Sequence, residues 1–314
     1  MGYIAEFPGF LHCIERDVLI GRTDTMSDPQ VRTRSKPSLK LRKARIRHFL
    51  ITSGPNRLTR GWINRRHQSA DVVVREQEII APNWPKAFDG IRIGHISDLH
   101  VGDLLSPERA IDIVGQLKDA APDMICHTGD LADLYWPGIE SVAQAIGAID
   151  APMGNFFVRG NHDELDSAEE VERIVSQAGT TVLQDDVALV RRGEQTLRVG
   201  GIVWSRTPSQ CRQRIDSAMG DESVDLLLSH NPKAFDHAAE KSVALTLSGH
   251  THGGQIARRN RPNANLAVFH GHRRNAGIYD IGDSRLFVTV GAGALFPLRW
   301  NVPAEIAMLT VRAG

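Results

Sequence analysis

The chain has 314 residues, 41% hydrophobic and 24% charged, and its 37 Lys+Arg are balanced by 37 Asp+Glu. That mixture excludes a fibrous or wholly disordered protein, and the length suits one large α/β domain with an appendage. The balance is uneven, because residues 29–70 hold twelve basic side chains and no acidic one, leaving 25 − 37 = −12 for the rest.

Taken from the N-terminus, residues 1–28 carry no motif. They lack a basic start followed by an apolar run, which argues against a secretory signal. Glu6 stands where a myristoylation pattern beginning at Gly2 needs Ser or Thr. No stretch approaches ~18 consecutive apolar residues, so no membrane-spanning helix is expected. Cys13, Cys126 and Cys211 have no metal-ligand spacing, and the expectation is a cytoplasmic protein. Residues 1–70 read as a basic N-terminal arm, partly ordered or amphipathic, with Leu39, Leu41, Ile46, Leu50 and Ile51 as its apolar set and a break at Gly54-Pro55. The basic stretch has three readings: a solvated surface, a peripheral contact with anionic lipid at the inner membrane surface, or nucleic-acid binding. Only Phe49 and Trp62 could stack on bases, which argues against the last.

A second unit is expected over 71–314. From Asp71 onward, β-branched runs alternate with helical segments, the pattern of an α/β layered domain. Strands are predicted at 72–80, 91–97, 124–127, 155–158, 187–191, 197–203, 224–228, 243–247, 286–290 and 305–311. Ser106-Pro107 opens a helix with Ala110, Ile113, Val114 and Leu117 on one face. Ile139, Val142, Ala143, Ile146 and Ile149 mark another. Ser167 with Glu170 reads as a capping box, Gly179 as a C-cap, and Asn231-Pro232 as a further helix start.

Five predicted strands run directly into groups that bind hard or borderline metals. These are Asp98-Leu99-His100, Gly129-Asp130, Gly160-Asn161-His162-Asp163, His230-Asn231 and Gly249-His250-Thr251-His252-Gly253. Ligands of α/β sheets bind beyond the carboxyl ends of strands, so the five loops are expected to share a crevice. Carboxylates, imidazoles and one amide, without a thiolate, select Mn²⁺, Fe²⁺/Fe³⁺ or Zn²⁺. Seven such ligands exceed one tetrahedral ion and suit two divalent ions bridged by a carboxylate, for which Asp130 is the best placed. Two adjacent ions clamp a phosphate and lower the pKa of a bound water from 15.7 to about 7.

The ordered set D-x-H, G-D, G-N-H-D, H and G-H-x-H resembles the calcineurin-like metallophosphoesterase superfamily from about Ile91 onward. His250-Thr251-His252-Gly253-Gly254-Gln255, Pro297-Leu298-Arg299 and Glu305-Ile306 look like a bacterial phosphodiesterase branch that includes UDP-2,3-diacylglucosamine hydrolases of lipid A biosynthesis. The resemblance implies a four-layer αββα sandwich of two mixed sheets with a dinuclear centre at the strand C-terminal ends. It implies one ion held by Asp98, His100, Asp130 and His252, and another by Asp130, Asn161, His230 and His250. His162 is then the catalytic proton donor or phosphate-steadying group, and Asp163 orients its imidazole. The implied reaction is hydrolysis of a phosphodiester or nucleotide-diphosphate bond by a metal-bridging hydroxide.

Two features depart from that branch: a basic stretch stands where relatives carry a membrane anchor, and Ile256–Tyr279 is Arg- and Asn-rich rather than apolar. A nuclease and a non-catalytic metal-binding module are the alternatives. The first lacks a sizeable added domain and the second is expected to have lost ligands, whereas all of them stand here. His95 and His127 read as core residues or as residues backing the ligands, His237 as a surface or capping group, and His270, His272, Arg273 and Arg274 as a solvated loop in preference to a substrate-facing one. Arg299 reads equally as a phosphate ligand or a partner in a structural salt bridge.

Overall fold

The computed structural model describes residues 38–314 apart from 69, 221, 260 and 270. The first part of the arm, with Arg32, Arg34 and Lys36, lies outside the described residues, as does His270. Helices α1 (Leu39–His48), α2 (Gly54–Leu58) and α3 (Trp62–Gln68) come first, with a π-helical turn at Phe49–Ser53 between α1 and α2. There follow β1 (Val72–Ala81), β2 (Ile91–Ile96), α4 (Pro107–Asp119), β3 (Met124–His127), α5 (Glu140–Gly147), β4 (Asn155–Phe157), α6 (Ala168–Gln177) and β5 (Thr181–Val182). The second half holds β6 (Asp186–Arg192), β7 (Gln195–Ile202), α7 (Pro208–Met219), β8 (Leu226–Ser229), α8 (Phe235–Glu240) and β9 (Leu245–Ser248). It closes with β10 (Ala257–Arg258), β11 (Arg261–Asn265), α9 (Leu266–Phe269), β12 (Gly277–Ile281), β13 (Ser284–Val288) and β14 (Ala304–Ala313).

Among the described residues the strands make two six-stranded sheets, β1-β14-β2-β3-β4-β5 and β12-β13-β9-β8-β7-β6, and a small β10-β11 hairpin. Both large sheets are mixed. In the first, only the β14–β2 pair is antiparallel. In the second, β7, β8, β9 and β13 run parallel between the antiparallel edges β6 and β12.

The facing surfaces of the sheets enclose one core layer, with Phe88, Ile93, Met124, Phe156, Leu197, Leu226 and Phe287 all buried. Ile113 and Leu117 of α4, Val142 and Ile146 of α5, and Val171 and Ile174 of α6 cover the outer face of the first sheet. Cys211 and Ile215 of α7 and Ala238 of α8 do the same for the second. The result is the αββα sandwich expected. Strands covered on both faces must be apolar throughout, which is why β3 and β8 read as continuous buried runs rather than alternating ones.

Local chemistry fixes the helix starts, with two differences from the sequence reading. Ser106 accepts from Arg109 N with Pro107 at the first helical position, as predicted. Ser167 accepts from Glu170 N, but the Glu170 carboxylate turns to Arg173, so the reciprocal half of the capping box is absent. The complete box stands at Thr207 and Gln210, opening α7. That helix escaped the sequence reading because only Cys211, Ile215 and Met219 mark its buried face. The edge strand β12 escaped it too, being half-exposed along its length.

The described part of the arm is helical and lies on the sandwich. Ser38 caps α1 through Leu41 N, and Leu41 and Ala44 form its buried side. Leu39 and Ile46 point to solvent, so α1 does not sort its apolar residues onto one face. The buried Thr52 hydroxyl donates to Leu295 O, tying the following turn to the C-terminal loop.

Candidate metal centre

The parallel strands β2, β3, β4, β8 and β9 deliver all five motif loops to one end of the sandwich. Asp98 and His100 follow β2, Asp130 follows β3, Asn161 and His162 follow β4, His230 follows β8, and His250 and His252 follow β9. Five of these residues have left-handed backbones: Asp98 (φ 55), His100 (φ 49), Asp130 (φ 53), His250 (φ 70) and His252 (φ 51). Such conformations cost of order 1–3 kcal/mol each for non-glycine residues and persist where the surroundings over-determine them. Ordinary loops do not accumulate five at one point.

The side chains converge as three close groups of donors, one of them His162 with His100 and Asp133, and the other two made of predicted ligands alone. In one of those two, Asp98, His100 and His252 bring their ligand atoms within 4.8 Å of one another. His252 Nε2 is 3.3 Å from Asp98 Oδ1, and His100 Nε2 and His252 Nε2 are 3.0 Å apart. In the other set, Asp130, His230 and His250 do the same. Asp130 Oδ2 links the sets, at 3.5 Å from His100 Nε2 and 3.2 Å from His230 Nε2.

The donor atoms fit divalent ions. Asn161 Oδ1 is buried without a hydrogen-bond partner among the described residues, a costly state unless something outside the chain satisfies it, and His230 Nε2 faces only the Asp130 carboxylate, at 3.2 Å. His230 Nδ1–H donates to Thr128 O at 2.6 Å, which leaves Nε2 as the coordinating atom. The Ser97 hydroxyl donates to Asp98 Oδ2 at 2.6 Å and holds that carboxylate in place. Burial pushes His250 and His252 well below the ordinary imidazole range, so both stay neutral and keep lone pairs for a cation. Burial also opposes a charge on His230, but Asp130 overrides it and raises the imidazole to about 9 in the chain without ions. Trp204 backs the second set, its ring 5.5 Å from His230 and 4.7 Å from His250.

Residues 91–273, more than half of the chain, match the calcineurin-like phosphoesterase family. The chain belongs to that family. It is a metal-dependent phosphoester hydrolase, and the non-catalytic alternative is set aside. The "uncharacterized metallophosphoesterase YkuE" of Bacillus subtilis is 28% identical over 77% of this chain and 86% of its own length. A "transmembrane protein with metallophosphoesterase domain" of Danio rerio is 28% identical over 76% of this chain. An "uncharacterized metallophosphoesterase" of Helicobacter pylori J99 is 29% identical over 70%. The alignments span only 57% and 59% of those two longer relatives.

This calcineurin-like phosphoesterase departs from its sequence reading at Asp163. The carboxylate does not orient His162; it accepts from the backbone N–H of Asp130, Gly160 and Ala132, at 2.8, 2.8 and 3.1 Å. Asp163 therefore staples the β3 and β4 loops together, and burial followed by the nearby Asp130 charge raises it to about 6. The imidazole is set by Asp133 instead. His162 Nδ1–H donates to Asp133 O at 2.7 Å, with Asp133 Oδ1 at 3.3 Å. Burial opposes the Asp133 charge, yet hydrogen bonds from His100 and His162 hold it well below the carboxylate range. The signal for Asp133 was its position three residues beyond Asp130, on the same tight loop.

Arg299 is held by backbone carbonyls, and among the described residues it makes no salt bridge. Its guanidinium donates to the carbonyls of Val290, Gly291, Gly293 and Val302. Burial lowers its pKa to about 10, and its Nη2 lies 3.4 Å from His252 Nδ1. Glu305 accepts from Thr289 Oγ1 and Val290 N, so both ends of the 289–303 loop are pinned beneath Asp98 and His252. His95 and His127 are core residues, driven by burial to about 3. His237 is buried rather than superficial and bridges Asp216 and Glu240. His272 packs its ring 5.1 Å from His250, closer to the centre than a solvated loop would place it, whereas Arg274 pairs with Asp236.

Close packing behind the ligands makes glycine obligatory at 249. A Cβ there would lie 2.0 Å from Ser97 Oγ and 2.2 Å from Asp98 Oδ2. Gly249→Ala is expected to displace Asp98, costing about 1–3 kcal/mol of stability as overpacking does. Thermal unfolding and metal titration of the variant check this, with weaker binding at the Asp98 set as the expected result.

Proposed function

We propose that this phosphoesterase hydrolyses a phosphodiester or pyrophosphate bond with two divalent ions. The observation that carries the reading is the pair of donor sets joined by Asp130, with the buried Asn161 Oδ1 left without a partner among the described residues. Asp98, His100, Asp130 and His252 hold one ion; Asp130, Asn161, His230 and His250 hold the other, and Mn²⁺, Fe²⁺/Fe³⁺ or Zn²⁺ suit this donor set. When bound, two such ions lower the pKa of a water nucleophile and neutralise charge developing on the phosphoryl group. The chain's own part is orientation and proton transfer. Asp133 O fixes the proton on His162 Nδ1, so Nε2 faces the opening and serves the departing oxygen.

The leading specific substrate is a nucleotide-diphosphate lipid such as UDP-2,3-diacylglucosamine. Support comes from a groove of about 900 Å³ beside the centre, walled by Ile51, Trp62, Leu104, Leu105, Phe296 and Leu298 and reached by Arg66 and Arg109. Arg299, beside His252, also lines it. Apolar walls with a few cations suit an alkyl chain joined to an anionic head. Residues 71–314 form the hydrolase unit in this reading, and 1–70 form its basic appendage. Peripheral contact with an anionic inner-membrane surface, from a cytoplasmic location, fits the exposed Leu39, Ile46, Phe49, Leu50, Leu58 and Trp62 interleaved with exposed arginines and lysines. Among the described residues no helix is long and apolar enough to cross a membrane.

The test is a screen of metal-reconstituted protein against monoesters, diesters, nucleotide-diphosphate lipids and nucleic acids, with and without anionic vesicles. Turnover of diesters and nucleotide-diphosphate lipids, rising with vesicles, is expected. Activity on monoesters alone removes the diester reading, and preference for nucleic acid replaces it with a nuclease.

A further inference from the structure

Helix α1 reaches the opening of the centre from outside the family-matched segment, and its last turn is held there by specific contacts. His48 Nε2 lies 2.9 Å from Asp103 Oδ2, and His48 Nδ1 lies 3.3 Å from Asp133 Oδ2. Asp133 is the residue that also fixes His162, so helix and imidazole share one anchor. Lys40 Nζ, at the other end of α1, is 3.8 Å from Glu164 Oε2 on the β4 loop.

The latch places Arg47 at the reaction point. Arg47 Nη2 is 3.2 Å from His162 Nε2, across 115 residues of sequence. His162 Nδ1 is already engaged, so Nε2 is the ring atom that faces the opening, and a guanidinium stands directly against it. Among the described residues Arg47 has no carboxylate partner. The guanidinium N–H donates to the Nε2 lone pair, a neutral acceptor that leaves the arginine charge uncompensated, and an incoming phosphoryl oxygen is a stronger acceptor for the same fork. The planar fork of arginine matches the non-bridging oxygens of a phosphoryl group, with two parallel hydrogen bonds.

We propose that Arg47 is a substrate-binding residue that clamps the phosphoryl oxygens opposite the ions, and that His48 is the positioning residue that sets it there. The proposal rests on the phosphodiester reading above and deepens it: the substrate must present an anionic phosphoryl oxygen toward α1 as well as toward the ions. The N-terminal helix is thereby part of the active site.

The test compares full-length wild type, Arg47→Ala, Arg47→Lys and His48→Gln, each loaded with Mn²⁺. The readouts are KM and kcat on bis(p-nitrophenyl) phosphate, calorimetric affinity for inorganic phosphate, metal content and thermal midpoint. Arg47 is exposed as a residue, so folding and metal content are expected to be unchanged. Losing a hydrogen bond to a charged group corresponds to about a 10- to 100-fold weakening, expected in both phosphate affinity and KM for Arg47→Ala. Arg47→Lys is expected to recover part of that loss but not the forked contact, and His48→Gln to show a smaller shift of the same kind. Unchanged KM and phosphate affinity in Arg47→Ala, with wild type active on the diester, overturn the clamp and leave the hydrolase reading standing. A loss confined to kcat overturns it as well. Absence of metal-dependent diester turnover in wild type overturns both.

Discussion

Asp130→Asn is expected to lose both ions together. Its Oδ2 lies between the two donor sets, 3.5 Å from His100 Nε2 and 3.2 Å from His230 Nε2. Replacing that oxygen by an amide removes the negative charge each ion shares and sets an N–H₂ group against one of them. An ion contributes several kcal/mol of charge stabilisation, which at 1.36 kcal/mol per tenfold is about 10³-fold or more in rate. Elemental analysis after Mn²⁺ saturation should fall from about two ions per chain to almost none. His100→Ala, by contrast, removes a ligand from one set and should mainly empty that one. Retention of two ions by Asp130→Asn would show that the sites are independent and that the shared carboxylate is incidental.

His162→Ala is expected to keep both ions and still lose about 10²–10⁴-fold in turnover, the usual worth of a positioned proton donor. The separation follows from the loop after β4, where Asn161 leaves a buried oxygen toward the donors while His162 anchors on Asp133 and faces outward. The loss should shrink for substrates whose leaving group departs without a proton, such as a nitrophenolate. Steady-state rates on a series of aryl and alkyl diesters measure this directly. Equal slowing across the series would assign His162 to holding the phosphate, together with Arg47, and would leave the leaving group unassisted.

Much of the centre is legible in the sequence because short motifs sit where strands end. A strand buried on both faces reads as an apolar run, and whatever polar residues follow it must lie at the sheet's edge. Asp98, His100, Asp130, Asn161, His230, His250 and His252 all obey that rule. What the sequence does not carry is the direction of a side chain within a tight loop. Asp163 follows His162 directly, and adjacency suggested contact, yet the chain turns its carboxylate back onto three amides. Asp133 takes the expected role from across the loop. Arg299 was ambiguous for a related reason: a guanidinium suits carbonyls and phosphates alike, and only the fold shows that four carbonyls surround it. The arm was least legible. Composition marked it as basic, but whether a basic helix floats or docks depends on partners such as Asp103, Asp133 and Glu164, scattered over the body.

The position of β14 has a consequence for how the protein is made. This strand, Ala304–Ala313, is threaded between β1 and β2, pairing parallel with one and antiparallel with the other. The loop before it packs against the ligands: a Cβ at Gly291 would meet Asp98 Cβ at 2.6 Å, and one at Gly293 would meet Leu99 O at 2.0 Å. During translation all seven candidate ligand residues are synthesised by residue 252, yet the first sheet still lacks an interior strand until residues 304–313 appear. Contacts between such distant parts of a sequence form late. A nascent chain therefore carries every candidate ligand before its first sheet is complete, and metal capture is expected to wait for the last strand to insert.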